Sequence, residues 1–277
     1  MGSGNEKCLT MKKVGLIIGI LFLLGSASCD KVIQLTPFAT SLEEGERDRT
    51  RKNLAYLESY QSPVTMGADS VEIAFLTDVH FDYTALRKAV DHITTHSRAR
   101  LAICGGDLTD QGLLNEYRWF HDEMRRLPMP YLTVIGNHDY RADGEFIYDK
   151  MFGPRNYQLQ LQGWQIIFFD DVTWEKMGHP DFQWLENTLT DGHPVGRLLI
   201  THLAPTCPQF SGALGDRFRE ILTTHPPTLM LCGHNHSREH STWQGIPLFI
   251  ETRVGEHAYT RVQLYGSGEF ALMPQKF

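Results

Sequence analysis

The chain of 277 residues is 42% hydrophobic and 21% charged, the composition of an ordinary globular protein with one sizeable core or two modest ones. Its formal net charge of −7 and the lack of any basic cluster exclude a large nucleic-acid surface, which needs several Lys or Arg facing the backbone.

Met11-Lys12-Lys13 precedes an apolar run of 12 residues, Val14 to Gly25, and the small residues Ser26-Ala27-Ser28 lead to Cys29. A charged start, a short apolar segment and small residues before a cut site read as a secretory signal, and the run is too short for a comfortable permanent span. A cysteine directly after the small residues resembles a bacterial lipoprotein signal. That resemblance implies export to the cell envelope and a lipid on Cys29, the chain's only expected link to a membrane. Simple cleavage after Ser28 is the alternative. Residues 1–29 are therefore expected to be signal, 30–70 a tether or lead-in helix, and 71–277 the main domain. In the lead-in, Leu42 to Lys52 alternates acids and bases as a solvated face does, while Leu54, Leu57 and Tyr60 offer apolar docking points.

From Val71 onward, short apolar runs alternate with amphipathic segments. Val71–Leu76, Leu101–Cys104, Tyr131–Ile135, Ile166–Phe169, Leu198–Ile200 and Leu229–Cys232 are apolar on both faces, so they predict strands covered on both sides. Leu86, Ala89, Val90 and Ile93 form one helical stripe between the first two runs; Leu113, Tyr117, Phe120, Met124 and Leu127 form another between the next two. Asp78 to Asp107 is 29 residues and Asp107 to Asn137 is 30, each the length of a strand, crossover helix and strand. The sheet core is thus at least partly parallel. His240–Gln244, Pro247–Glu251, Tyr259–Tyr265 and Glu269–Met273 predict antiparallel strands that finish a second sheet. The fold class is α/β, with two packed mixed sheets and outer helices. Cys104, Cys207 and Cys232 are small buried hydrophobes by default, and a Cys104–Cys232 disulfide is conceivable.

Five polar clusters each follow an apolar run: Asp78-Val79-His80, Gly106-Asp107-Leu108-Thr109-Asp110, Gly136-Asn137-His138-Asp139, Thr201-His202 and Gly233-His234-Asn235-His236. Carboxyl ends of parallel strands share one rim, so these clusters converge. Carboxylate, amide and imidazole donors without a nearby thiolate suit manganese, iron or zinc.

In order and spacing the five blocks resemble the calcineurin-like metallophosphoesterase superfamily, and Phe182-Gln183-Trp184-Leu185-Glu186 looks like a helix of its class III cyclic-nucleotide phosphodiesterase branch. The stretch from His202 through Gly212 and Asp216 is similar to that branch's loop, with Leu203 where a second His is usual. The resemblance implies a four-layer α-β-β-α sandwich. It also implies two metal ions, one on Asp78, His80, Asp107 and His236, the other on Asp107, Asn137, His202 and His234. Asp107 would bridge ions ~3.5–4 Å apart, and a bridging hydroxide would attack phosphorus in line. His138 would protonate the leaving oxygen, Asp110 would orient His138, and Asp139 would support the ligands from behind.

The implied enzyme takes a small phosphorylated substrate, phosphodiesters first. Phosphomonoesters or pyrophosphates of nucleotides, lipid intermediates or envelope sugars are the alternative, and a metal-binding envelope protein without catalysis is the reading from another class. His179, His257 and Trp174 are weaker candidates for substrate contact, because loops at a strand rim reach the mouth.

Overall fold

The apolar runs form strands whose alternate side chains enter different layers. A computed structural model describes residues 36–60, 70–175 and 179–277; the expected signal, Met11 to Cys29, lies outside them. Phe38–Phe277 is one unit. In chain order it holds α1 (Arg49–Tyr60), β1 (Ser70–Leu76), α2 (Tyr83–His96), β2 (Leu101–Cys104), α3 (Leu114–Met124), β3 (Tyr131–Thr133) and α4 (Gly144–Met151). There follow β4 (Tyr157–Leu161), β5 (Trp164–Phe168), α5 (Phe182–Thr190), β6 (Gly196–Ile200), α6 (Gly212–Thr224) and β7 (Leu229–Cys232). The last strands are β8 (Glu239–Trp243), β9 (Ile246–Ile250), β10 (Ala258–Tyr265) and β11 (Phe270–Lys276). Among the described residues no helix is long and apolar enough to cross a membrane.

Two mixed sheets result, in the orders β11-β10-β1-β2-β3 and β4-β5-β6-β7-β9-β8. Ile73, Phe75, Ile103 and Leu132 of the first sheet meet Ile166, Phe168, Ile200 and Leu231 of the second. The intervening residues face outward: Ala74, Leu76 and Ala102 pack under the stripes of α2 and α3, whereas Ile167, Leu199 and Met230 pack under α5 and α6. Each fully buried Leu, Ile or Phe contributes roughly 1.5–3 kcal/mol, so neither face of these strands tolerates water. The result is the α-β-β-α sandwich.

Four expectations change. The final strands do not all finish one sheet: β9 lies parallel to β7 and β8 antiparallel to β9, whereas β10 and β11 return to the first sheet beside β1. The strand expected over Tyr131–Ile135 stops at Thr133. Gly212 to Asp216 is the first turn of α6 rather than loop. Cys104, Cys207 and Cys232 are all free and buried; Cys104 joins the outer layer of one sheet and Cys232 that of the other, so a bridge between them has no path.

The lead-in is held to the body. Leu57 enters the inter-sheet core, Asn53 Nδ2 donates to the Tyr131 carbonyl at 2.6 Å, and Glu46 accepts from Arg118 at 2.6 Å and 3.0 Å. On β1, Glu72 is 5% exposed; its Oε2 meets Arg261 Nη2 at 2.5 Å and its Oε1 accepts from Ser97 Oγ and Arg98 N. Burial pushes this carboxyl up, but Arg261, Ser97 and Arg98 together hold it below its ordinary 4.5. Its contribution is therefore complete above pH 4.5 and is lost as pH falls through the lower folded value. In urea unfolding near neutral pH, Glu72→Gln is expected to cost about 1–3 kcal/mol, and the gap should close on acidification below that value.

Candidate metal centre

All five clusters lie on the carboxyl rim where the two sheets face each other, three from β1, β2 and β3 and two from β6 and β7. Asp78 and Asp107, at the ends of β1 and β2, are buried; Nε2 of His80 and of His236 lie 3.1 Å apart. His236 Nε2 is 3.3 Å from Asp78 Oδ1, and His80 Nε2 is 3.6 Å from Asp107 Oδ2. One donor atom from each of these four residues fits within 4.8 Å of the others. On the other side of Asp107, His202 Nε2 is 3.4 Å from its Oδ2. Asn137 Oδ1 stands 3.1 Å from that nitrogen and 3.0 Å from His234 Nδ1. Asp107 thus stands between Asp78, His80 and His236 on one side and Asn137, His202 and His234 on the other, and the first set is the one that forms a four-residue candidate metal cluster among the described residues.

The donor chemistry fits cations. Carboxylate oxygens, an amide oxygen and imidazole nitrogens converge, and most present lone pairs to one another, an arrangement that positive charge relieves. Second contacts set several of these donors. His202 Nδ1 lies 2.8 Å from the Gly105 carbonyl, so Nδ1 donates there and Nε2 is the nitrogen turned towards Asp107 and Asn137. Asn137 Nδ2 donates to Glu175 Oε1 at 3.1 Å, which turns Oδ1 inward. Thr77 Oγ1 and the His234 amide donate to Asp78.

Backbone strain accompanies the site. Asp78, His80, Asp107, His234 and His236 have φ of 55°, 48°, 51°, 70° and 54°, a conformation that costs of order 1–3 kcal/mol each and persists where the surroundings over-determine it. Gly136 is needed because a Cβ there would land on the Asp107 carboxylate and amide.

Electrostatics follow the burial. Desolvation opposes charge on Asp107, yet His202, His80 and His138 hold its carboxyl below the usual range. Burial alone would lower His202, but Asp107 carries it up to about 10. His234 is pushed down to about 4, first by burial and then by His202. Burial and the charge of Asp107 push Asp139 up to about 7. Asp139 accepts from Leu108 N, Thr109 N, Thr109 Oγ1 and Gly136 N at 2.7–3.1 Å, so it binds the Asp107 loop to the Asn137 loop and stands behind the ligands.

His138 borders the first group, its ring centroid 4.4 Å from that of His80. Its Nδ1 is 3.0 Å from the Asp110 backbone carbonyl and 3.4 Å from the Asp110 carboxylate, so Asp110 meets this ring more closely through its main chain than through its acid. Arg141 Nη2 is 3.0 Å from His138 Nε2. Side-chain exposure rises from 0% at His202 to 21% at His138 and 42% at His236, so the centre opens on that side.

Three contributors escaped the sequence reading. Asp171, buried, accepts from the His202 and Leu203 amides; Glu175 orients Asn137; Arg141 faces His138. Asp170-Asp171 follows an apolar strand just as the five clusters do, and that was its signal. The other two carry no motif. Of the weaker candidates, Trp174 is 68% exposed, His179 lines a separate cavity with Arg155 and Trp184, and His257 packs edge-on against Phe277.

Acids and imidazoles gathered at one rim of paired mixed sheets form a candidate metal centre. Residues 71–238 match the family model described as calcineurin-like phosphoesterase, and the chain belongs to that family. A probable cyclic nucleotide phosphodiesterase of Moraxella catarrhalis is 29% identical over 175 residues, 53% of this chain and 62% of that protein. The chain therefore spans less than two thirds of that relative. A probable glycerophosphodiester phosphodiesterase GpdQ of Arcobacter nitrofigilis is 24% identical over 71% of this chain and 78% of its own. Among solved structures, purple acid phosphatase PPD1 from yellow lupin shares the fold with a TM-score of 0.61 and 10% identity, over 76% of this chain and 52% of the plant chain.

Because Asp139 touches no ligand through its side chain but braces two ligand loops, Asp139→Ala is expected to weaken metal binding roughly 10–100-fold. Chelator competition measures this, with circular dichroism to show the fold retained.

Proposed function

We propose that the chain hydrolyses phosphodiesters by in-line attack of an activated water, using two ions of manganese, iron or zinc. The observation that carries this reading is the double set of donors sharing Asp107, with His138 at its open edge. Relatives named as diesterases support the diester preference. When bound, such ions neutralise phosphoryl oxygens and lower the pKa of water.

The chain's own residues do the rest. Asp107 and Asp78 hold negative charge out of reach of bulk water. The Asp110 carbonyl fixes the His138 ring through Nδ1, which leaves Nε2 to carry a proton to the leaving alkoxide. Arg141, whose Nη2 donates to that nitrogen at 3.0 Å, leaves it to meet a phosphoryl oxygen as substrate enters, which frees Nε2 to take up the proton it then delivers. His138→Ala is expected to lower turnover of an alkyl phosphodiester ~10²–10⁴-fold while scarcely changing that of a nitrophenyl diester, whose leaving group needs no proton. Asp107→Asn should abolish both. Absence of metal-dependent turnover in a panel of diesters, monoesters and pyrophosphates would overturn the reading in favour of a non-catalytic metal-binding envelope protein; faster monoester or pyrophosphate turnover would reassign the substrate.

Export and lipidation at Cys29 belong to the same proposal, supported by the run from Met11 to Cys29. In cells given a labelled fatty acid, label should enter the wild-type chain and not Cys29→Ser, and detergent partitioning should follow the label.

A further inference from the structure

At the other end of β3 from Asn137, a cavity of about 390 Å³ lies between α1 and the end of α3. Its floor is apolar, from Met124, Leu127 and Met129, and its rim carries Arg49, Lys52 and Arg125. We propose that this cavity is a second binding site, for a small phosphate-bearing anion.

Two of the three rim cations, Arg49 and Lys52, are not spent on neighbouring acids. Among the described residues neither Arg49 nor Lys52 makes an ion pair: Arg49 Nε is buried without a hydrogen-bond partner, and Lys52 Nζ reaches only the Gly45 carbonyl at 3.4 Å. The nearby acids are engaged elsewhere, Glu46 with Arg118 at 2.6 Å and Asp122 with Arg125 at 3.1 Å. Arg49 and Lys52 therefore bring to the cavity positive charge that no carboxylate pairs with, and an anion's oxygens would supply that partner. His121 lines the same space, its Nδ1 2.7 Å from the Tyr131 hydroxyl. Burial first, and then the charge of Arg49, push its imidazole down to about 4, so near neutral pH it is an uncharged part of the wall and the cations are the Arg and Lys side chains. Phosphate is favoured over a carboxylate because its several acceptor oxygens can be shared among Arg49, Lys52 and Arg125, and the volume accommodates it. The Asn53 bond to the Tyr131 carbonyl holds the two walls together.

A free phosphate or phosphomonoester and a phospholipid headgroup share this chemistry. The test uses the metal-loaded chain carrying Cys29→Ser, so that no lipid anchor contributes. Inorganic phosphate is titrated calorimetrically, and sedimentation is compared for phosphatidylglycerol and phosphatidylcholine vesicles. Arg49→Ala/Lys52→Ala is expected to weaken one phosphate-binding event or the anionic-vesicle binding at least tenfold, with hydrolysis unchanged. Lys52→Glu, at an exposed position, should do the same without a folding question, whereas Arg51→Ala on the same helix should change nothing. Variant-sensitive phosphate binding without vesicle binding assigns a free anion; the reverse assigns a headgroup. Phosphate and vesicle binding that are both insensitive to these variants overturn the site.

Discussion

Everything at the rim depends on the burial of one ionised carboxylate. Asp107 leaves β2 in the left-handed region, and its backbone carbonyl accepts from both Val79 and His80, which fixes the loop after β1. Its Oδ1 accepts from the His138 amide, which fixes the loop after β3, and its Oδ2 faces His80 and His202. A buried charge of this kind is tolerated only where it is surrounded by donors or cations. The strain at five ligand residues is the backbone counterpart of that requirement, since relaxing any one of them would turn its side chain out of the group.

The same logic extends one layer back. Asp139 and Asp171 are also buried acids, and each accepts backbone amides of the loops that carry the candidate ligands. Loop amides at the ends of short parallel strands have no sheet partner, so a carboxylate supplies one. Each acid therefore stabilises a loop geometry that the strand alone leaves undetermined, and burial raises both to about 7 as the accompanying cost.

Much of this was legible in the sequence, for identifiable reasons. Runs apolar on both faces could only be strands covered twice, and residues directly after such runs had to share a rim; Asp78, Asp107, Asn137, His202 and His234 were placed by that rule. What the sequence hid has equally physical causes. An alternating strand reveals which face is buried but not which neighbour it pairs with, so β10 was assigned to the wrong sheet. β4 alternates Gln158 and Gln160 with apolar residues at an edge and lacks the run that marked the others. Glu175 and Arg141 act through distances that only folding creates. Cys104 and Cys232 close strands in the same way, yet the pleat sends them to opposite outer layers.

Exposure across the centre gives the site a direction. His202 sits at its base, fully buried under the Gly105 carbonyl and the Asp171 carboxylate that holds its backbone. His138 and His236 lie at the mouth. Charges at the base interact through a medium of low polarizability and are held by fixed dipoles, so their positions do not change when a substrate arrives. His138 and Arg141, the groups to which the proposed mechanism assigns the leaving-group proton and a phosphoryl oxygen, stand on the more exposed side. A rigid, dry base and an open, adjustable mouth are what hydrolysis demands, because the anion must be gripped before its leaving group is released.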